Sequence, residues 1–305
     1  MATMTYASIG DLRLSEALSA EYLRLLAARE ALPNHPALIH SGDATGSGSS
    51  TIKLGHLGID GYDLLASTGD GSTVTPTAHT DGSTTVTVAR YSKAYAPTDL
   101  ARLTDPSGLI SPERFAVDAL ASANATLVNL IAALGSGFSN TVGASGSDAT
   151  VQNFMDAKRQ LNVSDAGGAL MAVLHPQQWA DVMDDLILNA GGAIQYDPAA
   201  PELIRVMGNG YQGSLAGVDV FTTTRIPTAN AGDDRAGFMF ARGAVVWADA
   251  SPPVDDPTRQ MLVGGKVLFE VDRDALAGLT NWVSHYYVGV AEGIDAAGVG
   301  IITDA

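Results

Sequence analysis

Residues 111–135, SPERFAVDALASANATLVNLIAALG, carry the longest uninterrupted helical pattern in the chain, and any fold it adopts must house that segment. Ser111 stands where an N-cap belongs, and Pro112 occupies the first helical position, where its missing N–H costs nothing. Glu113 adds an anion to the first turn, and Gly135 stands where a C′ glycine would end the helix. Leu120, Leu127, Ile131 and Leu134 recur at helical spacing, with Phe115, Val117, Val128 and Leu130 widening the stripe. At 1.5 Å per residue the helix is roughly 35 Å long, the diameter of a small domain. The pattern predicts a strut whose core face is Leu120, Leu127, Ile131 and Leu134. An ordinary core helix of a globular enzyme satisfies it equally.

The chain before this helix divides into two parts. In residues 12–32, Leu14, Leu18, Tyr22, Leu25, Leu26 and Leu32 share one helical face, and Pro33 stops the pattern. Such an amphipathic helix needs a partner surface, which Leu18, Tyr22 and Leu25 are expected to meet. Residues 41–50, SGDATGSGSS, have the composition of a flexible linker, so the segment 1–50 reads as an arm. Residues 51–96 then read as one long hairpin. Its return strand, 84–95, alternates cleanly, with Val86 and Val88 on one face and Tyr91, Lys93 and Tyr95 on the other. The outgoing strand is less regular, and Gly55 and Gly58 are placed to supply a bulge. Between the strands, residues 67–83 are almost entirely Gly, Ser, Thr and Asp, the signature of a functional or disordered loop.

After the long helix, a Gly/Ser-rich break at 135–146 precedes a short helix at 150–161 and a buried strand at 169–174, ALMAVL. His175-Pro176 turns that strand into a helix with Trp179, Val182, Met183, Leu186 and Ile187 on one face. A connection through Gly208, Gly210, Gly213 and Gly217 leads to a strand at 218–225. Further strands are expected at 237–240, 244–248, 263–271, 280–292 and 299–303. Mixed strands with few helices and no repeat make the fold class α+β.

Chemistry is sparse. Seventeen Lys and Arg against 33 acids give a net charge of −16, with no basic patch to hold nucleic acid. Cysteine is absent, which excludes disulfides and thiolate metal sites. No window approaches about 18 uninterrupted apolar residues, and the N-terminus lacks the regions of a secretory signal. His35, His40, His56, His79, His175 and His285 never pair at i,i+4 spacing, and His175 before a helix reads as a cap or core residue. No nucleophile elbow, Walker loop or dinucleotide fingerprint occurs. The acid pairs Asp184/Asp185, Asp233/Asp234 and Asp255/Asp256 read as solvated side chains. No catalytic, cofactor-binding or metal-binding residue is expected, nor any membrane contact.

The order of parts resembles a known family: an amphipathic arm, a long hairpin, a strut helix, a mixed central domain and a return of strands. With the stretches ALMAVLHPQQWADVM (169–183), GSLAGVDVFTTTRIPT (213–228), FARGAVVWA (240–248) and VSHYYVGVAEGIDAAGVGIITD (283–304), it is similar to the major capsid proteins of tailed double-stranded DNA bacteriophages. These have the Hong Kong 97 fold, which encapsulins share. The resemblance covers nearly the whole chain. It implies an N-arm at 1–50, an E-loop at 51–97, a P domain with a spine helix at 98–147 and an A domain at 148–250. Residues 251–305 would supply the P-domain return strands and a C-terminal strand toward the A domain.

The implied function is a structural subunit, not an enzyme, that assembles as hexamers and pentamers into an icosahedral virion head made in the host cytoplasm. That head would enclose double-stranded DNA without sequence-specific binding. The implied partners are further copies of itself, a separate scaffolding protein, a portal protein and a decoration or cementing protein. The alternatives are an encapsulin shell and an unrelated α+β enzyme. Tiling a closed surface calls for a rigid body with arms that overlap neighbours. Because bases are rare, Lys53, Arg90 and Lys93, with Tyr91 and Tyr95 beside them, are expected to contact neighbouring subunits. Some family members crosslink through an E-loop lysine; residues 66–83 contain none, so non-covalent contacts are expected. With only residues 1–50 ahead of the E-loop, no scaffolding segment is expected to be cleaved from that end.

Overall fold

A computed structural model describes residues 32, 35–57, 70, 81–105, 110–188, 196–200, 210–232, 234–257 and 259–304. The arm residues Leu18, Tyr22 and Leu25, and most of the hairpin beyond Leu57, lie outside them.

The long helix runs Pro112–Ala133, and its Ser111 cap accepts a hydrogen bond from the Arg114 N–H at 3.3 Å. Leu120, Leu127, Val128 and Ile131 are buried, while Leu134 is half-buried against the same core. By length and composition the span Arg114–Ser136 would suffice to cross a membrane, but here its apolar stripe is core. The helix end departs from the expected left-handed glycine. Leu134–Ser136 tightens into a 3-10 turn, and the Gly137 N–H reaches the Leu134 carbonyl at 2.9 Å. Gly135 is required by crowding instead, since a Cβ there would lie 2.5 Å from the Ala236 carbonyl oxygen and 2.6 Å from Phe238 Cδ1.

Among the described residues the strands are β1 (Ile39–Asp43), β2 (Thr51–Leu57), β3 (Asp81–Thr87), β4 (Ala89–Tyr95), β5 (Thr141–Val142), β6 (Leu170–Leu174), β7 (Tyr196–Pro198) and β8 (Tyr211–Leu215). They continue as β9 (Val218–Thr222), β10 (Thr228–Ala229), β11 (Asp234–Ala241), β12 (Val245–Ala250), β13 (Gln260–Val263), β14 (Val267–Asp274), β15 (Leu279–Glu292) and β16 (Gly298–Asp304). One six-stranded sheet has the order β1-β12-β15-β14-β13, with β4 also pairing β15. An eight-stranded sheet has the order β5-β16-β11-β6-β9-β8-β7, with β10 on β11.

The spine of the six-stranded sheet is β15. Thr280, Trp282, Ser284, Tyr286 and Val288 are buried in strict alternation, so one face of the strand meets the long helix. Phe115 joins the layers, with ring centroids 5.6 Å from Phe269 and 6.1 Å from Trp282. The eight-stranded sheet is covered on one face by helices Val151–Val163 and Pro176–Leu188, whose Phe154, Leu161, Trp179, Val182 and Leu186 pack on Ala172, Leu174, Val220 and Met239. Met171, Val173, Phe221, Phe238 and Phe240 face the other way. They share a single core with the long helix and the six-stranded sheet.

Several expectations are corrected. The Gly/Ser stretch after His40 is not a free linker. It begins as β1, parallel to β12, and the Ser47 hydroxyl donates to the Ala44 and Ser49 carbonyls, both at 2.8 Å. The glycine-rich connection before 218 contains β8, where Gly213, at φ +121°, leaves no room for a Cβ beside the Asp197 carbonyl oxygen. The strand expected at 263–271 is the hairpin β13–β14, turned at Gly264 and Gly265 with φ 61° and 74°. Ile187 is 69% exposed instead of facing the core. Residues 245–250, at the end of the stretch the resemblance assigns to the A domain, pair β15 in the six-stranded sheet, and β16, the strand expected to run toward the A domain, pairs β11 in the eight-stranded one.

Candidate assembly surfaces

The hairpin root is built into the body. β2 and β3 pair in unbroken register from Thr51↔Thr87 to Leu57↔Asp81, so the bulge expected at Gly55 is not there. Val86 is fully buried, and half-buried Ile52 and Leu54 join it over Val246 and Ala248, on the sheet face turned away from the long helix. Gly289 of β15 lets the hairpin lie this close, since a Cβ there would sit 2.2 Å from the Thr87 carbonyl oxygen. At Val88, whose N–H donates to the Ser50 carbonyl at 2.8 Å, the chain changes partner and enters the six-stranded sheet as β4. The single return strand read from the alternation is therefore two strands, one per partner.

That change of partner separates the five expected contact residues. Tyr91, Lys93 and Tyr95 lie opposite Tyr286, Ser284 and Trp282, on the side of the long helix. Lys93 ion-pairs with Asp118 of that helix and donates to the Ser122 hydroxyl at 3.0 Å. Within its own chain its charge is therefore compensated by that carboxylate. Tyr91 packs half-buried against the core; Tyr95 stacks on Phe115 at 6.1 Å and stays 49% exposed. Arg90, out of phase with these, and Lys53 on β2 are exposed. Beside Lys93 is a shallow hollow of about 220 Å³ lined by Tyr95, Ser111, Arg114, Phe115, Asp118 and Trp282. Its charged and capping groups are the Lys93–Asp118 ion pair, the Ser111 cap and the Arg114 guanidinium, beside the Tyr95 and Trp282 rings.

A second surface escaped sequence reading. Leu100 and Leu103, on the short helix Asp99–Leu103, and Leu276, in the β14–β15 turn, are 69%, 84% and 102% exposed. Arg273 grips both carboxylate oxygens of Asp99 at 2.8 and 2.7 Å and holds that carboxyl below the usual carboxylate range. The Asp99 N–H also donates to the Gly278 carbonyl at 2.9 Å. These leucines therefore sit on a fixed tip. Two leucines in a five-residue helix with no apolar counterpart nearby were the available signal.

The titratable groups do structural work. His175 accepts the Gln177 N–H on Nδ1 at 3.3 Å, capping its helix, and burial lowers its pKa. Asp185 accepts the Val151 N–H at 2.8 Å, and buried Asp234 accepts the Gly146 N–H at 2.9 Å, so these acids are anchors and not solvated pairs. Where β15 leads into β16, burial and a hydrogen bond with Asp295 raise the Glu292 carboxyl, while the Ser139 N–H, at 2.8 Å, holds Asp295 low. Among the described residues no group of three or more His, Asp or Glu is placed to hold a metal ion.

No family model matches the chain, and no curated protein matches it in sequence. Solved structures match it in shape. The capsid of the cyanophage P-SCSP1u aligns with a TM-score of 0.58 at 13% identity, over 87% of this chain and 86% of that one. The capsid of Ralstonia phage GP4 gives 0.59 at 11% identity, over 88% and 86%. The SrpI encapsulin of Synechococcus elongatus, solved as its holo complex, gives 0.58 at 10% identity, over 87% and 84%. At these identities the likeness is one of fold.

Proposed function

We propose that this chain, whose fold is the Hong Kong 97 type, is the major capsid protein of a tailed double-stranded DNA phage, assembling as hexamers and pentamers into the virion head. The observation that carries this reading is the likeness to two phage capsids along 87% and 88% of the chain. In that role the six-stranded sheet and long helix are the peripheral domain, the eight-stranded sheet is the axial domain, and residues 51–97 are the E-loop. The exposed Leu100, Leu103 and Leu276, with Lys53 and Arg90, supply non-covalent contacts between copies. Residues 66–83 lack lysine, so the shell holds without a lysine crosslink from the tip of this loop. A separate scaffolding protein, a portal protein and a cementing protein complete the head, and the acidic subunit encloses DNA without gripping it.

Electron microscopy and sedimentation of the protein, alone and with the scaffolding protein of its own genome, test the reading. Closed shells, or hexamers and pentamers, are expected; monomers under both conditions would overturn it. The match to an encapsulin favours one rival, a cargo-enclosing shell. Particles from the native source decide between them: nuclease-protected DNA inside supports the capsid, and enzyme cargo without DNA the rival.

A further inference from the structure

The chain just ahead of the hairpin touches both sheets within a few residues. His35 is wholly buried, with Nε2 at 3.0 Å from Asp219 Oδ2 on β9. Its Nδ1 accepts the Ala37 N–H at 3.2 Å, which leaves Nε2 to donate to Asp219. The Tyr211 hydroxyl of β8 donates to the other Asp219 oxygen at 3.1 Å, which fixes the carboxylate from a second strand. These bonds, His35 foremost, hold Asp219 below its usual range, and burial beside Asp219 pushes Tyr211 up to about 12.

A second fastening lies on the other sheet. His40 Nε2 is 2.9 Å from Asp249 Oδ1 of β12, and Lys266 pairs with the other oxygen. The His40 ring and the Lys266 ammonium both lie against the Trp247 ring, 4.3 and 5.1 Å from its centroid. Ile39 and His40 pair in parallel with Val246 and Trp247, and the Ser41 hydroxyl donates to the Trp247 carbonyl at 3.2 Å. Between the fastenings Ala37 and Leu38 are buried in the core that both sheets share. Extended chain from residue 35 to residue 40 reaches at most about 17 Å, and the Leu38 N–H bond to the His35 carbonyl at 3.0 Å shortens it. The chain between the fastenings is thus a hydrogen-bonded turn packed into the shared core.

We propose that residues 35–43 are a two-point tie, fastened by His35–Asp219 and His40–Asp249, that sets the angle between the two sheets and through it the curvature of the assembled shell. The first half concerns the subunit alone; the second rests on the capsid reading. His35, His40 and Asp219 are positioning residues.

The test uses Asp219→Ala and His40→Ala, both at partly exposed side chains, with Asp219→Asn as the conservative variant that keeps an acceptor for His35. Amide exchange of the unassembled subunit is read alongside shell diameters by microscopy. For D219A, exchange is expected to rise on the order of tenfold at residues 35–38 and also at 39–43 on the other sheet, with the long helix unchanged. For H40A the rise at 35–38 is expected in return, and D219N recovers most of the protection. Shells of D219A and H40A are expected to vary in diameter where the wild type is uniform. A rise confined to the mutated side, or variant shells of wild-type diameter, would overturn the tie. If the wild type forms no shell at all, the capsid reading falls, while exchange in the subunit still decides whether the two fastenings are coupled.

Discussion

Replacing Gly289 with alanine should lift the hairpin root off the body. The new Cβ would meet the Thr87 carbonyl oxygen at 2.2 Å and its carbon at 2.7 Å, backbone atoms that no rotamer change can clear. Restoring ordinary contact requires a shift of about 1 Å. One hydrogen bond ties this stretch to the body, from the Thr84 hydroxyl to the Gly293 carbonyl at 3.3 Å. A shift of about 1 Å takes it beyond hydrogen-bond range and opens a gap between Val86, Ile52 and Leu54 and the sheet residues Val246 and Ala248. Overpacking of this kind costs about 1–3 kcal/mol, a fall in Tm of several degrees for a domain of this size. Gly55→Ala is the matched control, because nothing lies within 4 Å of a Cβ built there on the same hairpin. Thermal melting of the two variants, with amide exchange at residues 84–88, is the assay. If G289A melts with G55A and its hairpin amides stay protected, the close-approach argument is wrong.

Ile131→Ala, at a fully buried position of the long helix, should lower the unfolding free energy by about 2–5 kcal/mol, read from the denaturant midpoint. Lys53→Glu with Arg90→Glu should slow or reduce assembly in light scattering, whereas Lys93→Glu should shift stability by no more than about 1 kcal/mol and leave assembly intact, because its exposed partner is Asp118 of the same chain. Unchanged assembly in the double variant would remove those two cations from the interface. Because Glu292 is raised in the fold, its favourable contribution is complete below its ordinary value of 4.5 and is lost as pH climbs through the raised value. Glu292→Gln should therefore raise Tm at neutral pH and leave it nearly unchanged in acid. An equal gain at both ends of a pH series would rule out the ionisation as its cause.

The parts of the fold legible in the sequence are those specified by neighbouring residues. Ser111-Pro112 and Thr150 start their helices where the pattern puts them, because a cap hydroxyl and the N–H it satisfies are three residues apart. The apolar run of β6 marks a strand buried on both faces. What stayed hidden depends on distant partners. β1 looks like linker because its ladder is formed with β12, far along the chain, and β8 looks like a loop because Gly213 leaves room for another strand's carbonyl. The alternation through Val88 is continuous, so nothing local announces that the chain changes sheets there. His35 and Asp219 stand 184 residues apart, and neither position carries a motif.

One strand also dictates when folding can finish. β16 lies between β5 and β11 and supplies the whole register from Asp304↔Asp234 to Gly298↔Phe240. Until it arrives, β11 presents an open, apolar edge, and β5, far upstream, has nothing to join. A ribosome making this chain can release the long helix and much of the body early, but it must reach residue 304 before the larger sheet closes. Such late, long-range pairing is slow and leaves an exposed edge while it is pending. A chain that stops short of β16 therefore keeps that edge open as a template for pairing with other chains.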